Sequence, residues 1–243
     1  MIEVECGDAR CDRTISRNDI MIDRRTLLGA ALGACALIGL PAAQAAELPY
    51  DDKGDPFKFI LDLNNAVLDR IRGDKSLKSG DIEAVRKLVD GLIMPAVDFR
   101  MMTRMTVGPK WRSATDEQRK ALEEGFELLL MRVYSGALAN VTDQRVELRP
   151  TRSKAIRDEM VIRTLMKGSG TAQPVGLDYR IYRAKEKTWK IVDVNIEGIW
   201  MVENYRSQFA SILNQEGVDG LIRQFKEKGE SLAASMKSPG AKE

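Results

Sequence analysis

Two carboxylates are the side chains of this sequence best placed to do chemistry: Asp98, between Val97 and Phe99, and Asp193, inside Ile191-Val192-Asp193-Val194. An acid held among apolar neighbours has its pKa raised, which suits a general base. Plainer roles fit the same pattern, a helix cap for Asp98 and an ion pair or backbone bond for Asp193, and these are favoured because unpaired buried acids are rare. Little else is on offer. The 243 residues contain no His, which removes Ser-His-Asp and Cys-His catalysis and imidazole-bound metals. There is no G-x-S-x-G, no Walker loop and no complete G-x-G-x-x-G, and Gly168-Ser169-Gly170 reads as a hairpin turn. Catalytic signatures are otherwise absent. What the chain does have is adaptable apolar surface: Met101, Met102 and Met105 near Phe99, and the run Leu128 to Met131. Methionines fill irregular gaps, or line sites that accept varied apolar ligands.

Charge and cysteine usage narrow the class. Lys and Arg number 38 against 36 Asp and Glu, with a formal net charge of +2, which argues against a nucleic-acid binder held by phosphate neutralisation. The 30% of charged residues argues against an integral membrane body, and 44% apolar residues are enough for a core. Thr26 to Ala46 carry no charge, follow Arg24-Arg25 and contain the small-x-small triplet Ala43-Gln44-Ala45. That is the layout of a secretory signal peptide over residues 21–45, with Arg24-Arg25-Thr26-Leu27-Leu28 resembling a twin-arginine signal. Residues 1–20 are polar, and the reading taken is that they are a mis-assigned extension ahead of a start at Met21. Cys6, Cys11 and Cys35 all precede the expected cleavage point, so the exported chain has no disulfide framework, thiol nucleophile or soft metal site.

The elements that must position these side chains follow from periodicity. Asp55-Pro56 reads as N-cap and first helical residue, and Phe57, Ile60, Leu61, Val67, Leu68 and Ile71 recur at helical spacing up to Gly73. A second helix carries Ile82, Val85, Leu88, Val89 and Leu92 on one face until Pro95. Asp98 opens a short third helix, and Thr115 with Gln118 forms a capping box for the longest one, to about Asn140. Four strands are then expected, at 145–154, 160–167, 174–183 and 188–196. In the last, Trp189 and Ile191 are placed opposite Val192, Val194 and Ile196. Two helices separated by Gly217 follow, then a frayed tail at 237–243. The fold class expected is α+β, one domain over 46–236, with a helical layer packed on a curved antiparallel sheet of about four strands that can enclose an apolar cavity.

Several stretches, in order, carry a resemblance to a known family. They are Pro95-Ala96-Val97-Asp98-Phe99 with Met102, Gly108 through Trp111, and Ala114-Thr115 with Gln118-Arg119. Phe126, Leu129-Leu130 and Tyr134 follow. The closing stretch is Trp189 to Val194 with Glu197-Gly198, then Val202, Asn204-Tyr205-Arg206 and Gln208-Phe209. From about Asp55 to Leu232 the sequence resembles the MlaC family of periplasmic phospholipid-binding, or toluene-tolerance, proteins. It departs from the family at Ile199-Trp200, where smaller residues are expected. The resemblance implies a nuclear-transport-factor-like cradle that encloses diacyl tails and leaves the headgroup outside, with no catalytic residue, metal or cofactor. It also implies a monomeric periplasmic shuttle between an outer-membrane lipoprotein–porin complex and an inner-membrane ABC transporter, serving outer-membrane lipid asymmetry. A related branch carries hopanoids, and a cradle-fold enzyme using Asp98 or Asp193 is the alternative from another class.

On that reading the tail contacts are expected at Val97, Met102 and Met105 in the third helix region, and at Phe126, Leu130, Val133 and Tyr134 in the long helix. The strands are expected to contribute Leu177, Tyr179, Val192 and Val194, and the next helix Val202, Tyr205 and Phe209. Arg100, Arg104 and Arg206 are the candidates to meet a headgroup phosphate, with a solvated surface as the plainer reading of all three.

Overall fold

The computed structural model describes residues 47–150, 157–169 and 173–235, with side chains described as far as 227. The expectations for 1–20, 21–45 and 237–243 therefore lie outside the described residues. Helix α1 runs Pro56–Gly73, capped by Asp55, whose side chain accepts from the Phe57 N–H at 2.9 Å. A four-residue helix α2, Lys75–Lys78, lies between the first two helices marked by periodicity, and Asp74 caps it. Asp81 caps α3, Ile82–Leu88. Asp98 caps α4, Phe99–Val107, and the Thr115–Gln118 capping box starts α5, Asp116–Ser135.

The helix expected to reach Pro95 does not stay α-helical. After Leu88 it widens into a π turn, Val89–Ile93, and then tightens into a 3-10 turn, Met94–Ala96. Pro95 explains this: it lacks an N–H, and in an α-helix its ring would strike the carbonyl of Gly91. The irregular segment then docks on the sheet, with the Asp98 N–H donating to the Ile191 carbonyl at 2.9 Å.

Strands β1 Arg145–Leu148, β2 Glu159–Lys167, β3 Val175–Arg183, β4 Trp189–Ile196 and β5 Ile199–Trp200 form an open antiparallel sheet in that order. The α+β architecture is as expected; the two-residue β5 is additional, too short to show periodicity. Helices α6 Met201–Gln215 and α7 Gly217–Ser235 close the described chain, split by Gly217 at a φ of 68°, a left-handed conformation that glycine adopts without strain.

One register feature corrects the reading of β4. Ile181 pairs with Ile191 but Arg180 pairs with Asp193, so Val192 is the unmatched residue of a β-bulge. The phase of side chains shifts there. Ile191 and Val194 consequently share the inner face with Ile181 and Tyr179, rather than standing on opposite faces.

Candidate functional site: an apolar pocket

The interior is unevenly filled. One part is solid. Phe126 of α5 meets Phe99, Tyr205 and Phe209 with ring centroids at 5.6, 5.2 and 5.7 Å, and Phe209 meets Phe225 at 5.5 Å. Gly125 permits this, since a Cβ there would stand 2.4 Å from the Phe225 ring. A second solid part lies where the N-terminal half of α1 covers the sheet: Phe59, Ile60 and Leu63 pack on Ile162, Tyr179, Ile181, Trp189 and Ile191.

Between these parts lies a cavity of about 240 Å³ whose accessible wall is entirely apolar. Val67 and Ile71 of α1 and Val85 and Leu88 of α3 form one side. The irregular segment supplies Val89, Ile93, Met94 and Val97; α4 supplies Phe99 and Met102. From α5 come Glu127, Leu130, Met131, Tyr134 and Ser135, and Ile191, Val194 and Met201 complete the wall with Leu138. The β4 bulge is what allows Ile191 and Val194 to face the same space.

Of the expected tail contacts, Val97, Met102, Leu130, Tyr134 and Val194 line this cavity. The others are placed elsewhere, for identifiable reasons. Phe126, Val202, Tyr205 and Phe209 are consumed by the aromatic cluster, with Met105 and Val133 packed against it. Leu177 and Tyr179 lie under α1, where the Tyr179 hydroxyl donates to Asn64 Oδ1 at 2.5 Å. Val192 is the bulge residue, buried but not on the cavity wall. The wall residues of α1 and α3, together with Val89, Ile93 and Met94, carry no signal of their own in the sequence, because a helical stripe facing a void has the same spacing as one facing a neighbour.

The candidate headgroup arginines are also separated. Arg206 donates from its guanidinium to the Met105 carbonyl, Nε at 2.8 Å, and so closes the end of α4. Arg100 pairs with Glu123 at 3.1 Å and lies 5.6 Å over the Trp111 ring. Arg104 is exposed on α4, away from the cavity wall. The departure at Ile199-Trp200 falls outside the pocket: Ile199 is exposed and Trp200 lies under Arg180, at 4.5 Å.

Both carboxylates serve the fold. Asp98 Oδ1 accepts from the Met101 N–H at 2.9 Å, and Oδ2 accepts from the Tyr182 hydroxyl at 2.5 Å, which helps push that phenol up to about 12. Asp193 Oδ1 accepts from the N–H groups of Val194 and Val202, at 2.9 and 3.0 Å, and Oδ2 pairs with Arg180 at 3.2 Å. It therefore caps α6 from the neighbouring strand, while burial raises its pKa against those bonds. Neither lines the apolar cavity. Among the described residues no cluster of acids could hold a metal ion, and no helix is long and apolar enough to cross a membrane.

Residues 62–227 match the family model described as MlaC protein. The chain is 23% identical to the intermembrane phospholipid transport system binding protein MlaC of Haemophilus influenzae, over 71% of this chain and 81% of that protein. It is 25% identical to a toluene tolerance protein of Pseudomonas putida, over 82% and 86% respectively. Among solved structures it superimposes, with a TM-score of 0.65 and 37% identity, on a phospholipid-binding protein from Ralstonia solanacearum in complex with a phospholipid. That match covers 71% of this chain and 95% of the other.

Proposed function

This chain belongs to the MlaC family, and from that membership together with the dry pocket we propose that it is a periplasmic carrier of diacyl phospholipid that breaks no bond. Its partners are an outer-membrane lipoprotein–porin complex and an inner-membrane ABC transporter, and its work maintains the lipid asymmetry of the outer membrane. It is exported on residues 21–45 and acts as a monomeric domain over 46–236. The observation that carries the reading is a cavity with an entirely apolar accessible wall, in a chain 37% identical to a protein holding a phospholipid.

The energetics of such a carrier are simple. Burying a methylene gains about 0.8 kcal/mol over water, so two acyl chains represent on the order of 20 kcal/mol gross. A bilayer already gives the lipid nearly all of this. The pocket has only to match the membrane, and small differences in affinity then set which way the lipid moves. At about 240 Å³ the cavity is slightly smaller than the roughly 300–1,000 Å³ of ordinary ligand sites, so loading a two-chain lipid widens it. The wall that yields is Val89–Ala96, which lacks the regular ladder of an α-helix.

The test is to fill the pocket. Leu130→Trp places an indole in the void and is expected to reduce lipid recovered with the purified protein by at least about tenfold, with the thermal midpoint within a few degrees of the parent. Recovery of normal lipid in a folded Leu130→Trp protein would remove the pocket from the proposal.

A further inference from the structure

Beside the dry pocket is a second cavity, of about 550 Å³, with a different character. Met94, Val97, Phe99 and Glu127 are wall to both, so the two spaces are separated by a single layer of side chains. Beyond that layer the second cavity is lined by charge: Arg100, Lys120, Glu123, Glu124, Glu186 and Lys190. It has more acid than base to offer. Arg100 is paired with Glu123 at 3.1 Å, and Lys190 donates to the Pro95 carbonyl at 2.6 Å and to Asp52 at 3.4 Å. Asp98, also on the wall, is occupied by the α4 N-terminus and Tyr182. Lys120 reaches Glu124 only loosely, at 3.8 Å, and both are largely exposed.

Glu127 is the odd member. Its carboxylate makes no hydrogen bond or ion pair among the described residues, yet the residue stands half-buried at the boundary between the dry and the polar space. Burial, then the charge of Asp90, push its carboxyl above the usual range, with Arg86 opposing and Glu124 adding to the rise. A carboxylate in that position is costly until a cation meets it.

We propose that this crevice receives the polar head of the lipid whose chains fill the neighbouring pocket, and that it selects a glycerophospholipid whose head ends in an ammonium group, held by Glu127. The inference rests on the carrier reading above. Lys120, held only at 3.8 Å by Glu124, turns to the phosphate, and the ammonium lies against Glu127, with Glu186 also on the wall. A head bearing only negative charge would meet the unpaired carboxylates with nothing to compensate them. Of the three arginines expected at the head, only Arg100 lines this crevice.

The experiment offers delipidated protein to vesicles containing chain-matched phosphatidylethanolamine and phosphatidylglycerol in equal amounts. Mass spectrometry then reads the ratio of the two lipids captured. The expected result is enrichment of the ethanolamine lipid by roughly tenfold, the scale of one charge-assisted contact, falling towards parity in Glu127→Gln and by less in Glu186→Gln. Parity in the parent protein, or undiminished enrichment in both variants, overturns the inference while leaving the carrier reading intact. Capture of neither lipid by the folded parent protein overturns both.

Discussion

Helix α5 borders two interiors at once, and they are built differently. On one side Leu122, Phe126 and Leu129 enter an aromatic cluster with ring centroids 5.2 to 5.8 Å apart and, at Gly125, a ring pressed against backbone. On the other side Leu130, Met131 and Tyr134 face a void. Rings that meet edge to face fill space, and the glycine lets a neighbouring helix close in. The hollow side is walled mostly by aliphatic and methionine side chains, with Phe99 and Tyr134, and by a backbone that passes from α to π to 3-10 geometry. Apolar composition is the same in kind on both sides; what differs is whether neighbouring backbones approach closely enough to be bridged. The two sides touch at Tyr134 and Tyr205, where burial and the Tyr134 hydroxyl together raise the Tyr205 pKa.

The contrast can be broken most severely at Phe126. Removing its ring contacts to Phe99, Tyr205 and Phe209 with Phe126→Ala is expected to cost about 3–5 kcal/mol in urea unfolding. A loss below about 1 kcal/mol would mean the solid side is not solid. A sharper comparison uses adjacent residues. Leu129 is 1% exposed and faces the cluster, whereas Leu130 is partly buried and faces the cavity. Leu129→Ala should therefore cost about 3 kcal/mol and Leu130→Ala about 1 kcal/mol, and equal losses would erase the distinction.

The smallest effect belongs to the boundary residue Glu127. Its pKa is raised in the folded chain, so the stability it contributes is full below the ordinary value of 4.5 and is lost as pH rises through the raised one. Glu127→Gln cannot ionise and escapes that loss. Its thermal midpoint relative to the parent is expected to improve by about one or two degrees between pH 4 and pH 8. A difference that is flat or reversed over that range would place Glu127 in water rather than at the edge of the dry space.

How much of this was legible in the sequence depends on the range over which each feature is determined. Asp55-Pro56, Asp98 and the Thr115–Gln118 box act within a few residues, and each begins a helix where the sequence places one. The α+β order and the main strands follow from a change of period and are present. The void is not legible, because periodicity identifies the face a residue presents and says nothing of what stands opposite. Phe126 and Leu130 belong to one broad stripe, and only the arrival of Phe209 and Phe225 distinguishes them. Asp193 is marked by its apolar neighbours, but its task depends on the N–H of Val202, nine residues on. The π turn was hidden because Val89 and Leu92 continue the helical spacing, while its cause, Pro95 acting back on Gly91, is conformational rather than hydrophobic.

The unmatched Val192 has a consequence for how this strand tolerates change. Deleting that one residue would leave Ile191 opposite Ile181, Asp193 opposite Arg180 and Val194 opposite Tyr179, so the strand would straighten into plain alternation with every one of these side chains still on its present face. Relatives compared along this strand by counting from the preceding hairpin alone would have wall positions exchanged with outer ones wherever the extra residue was missed.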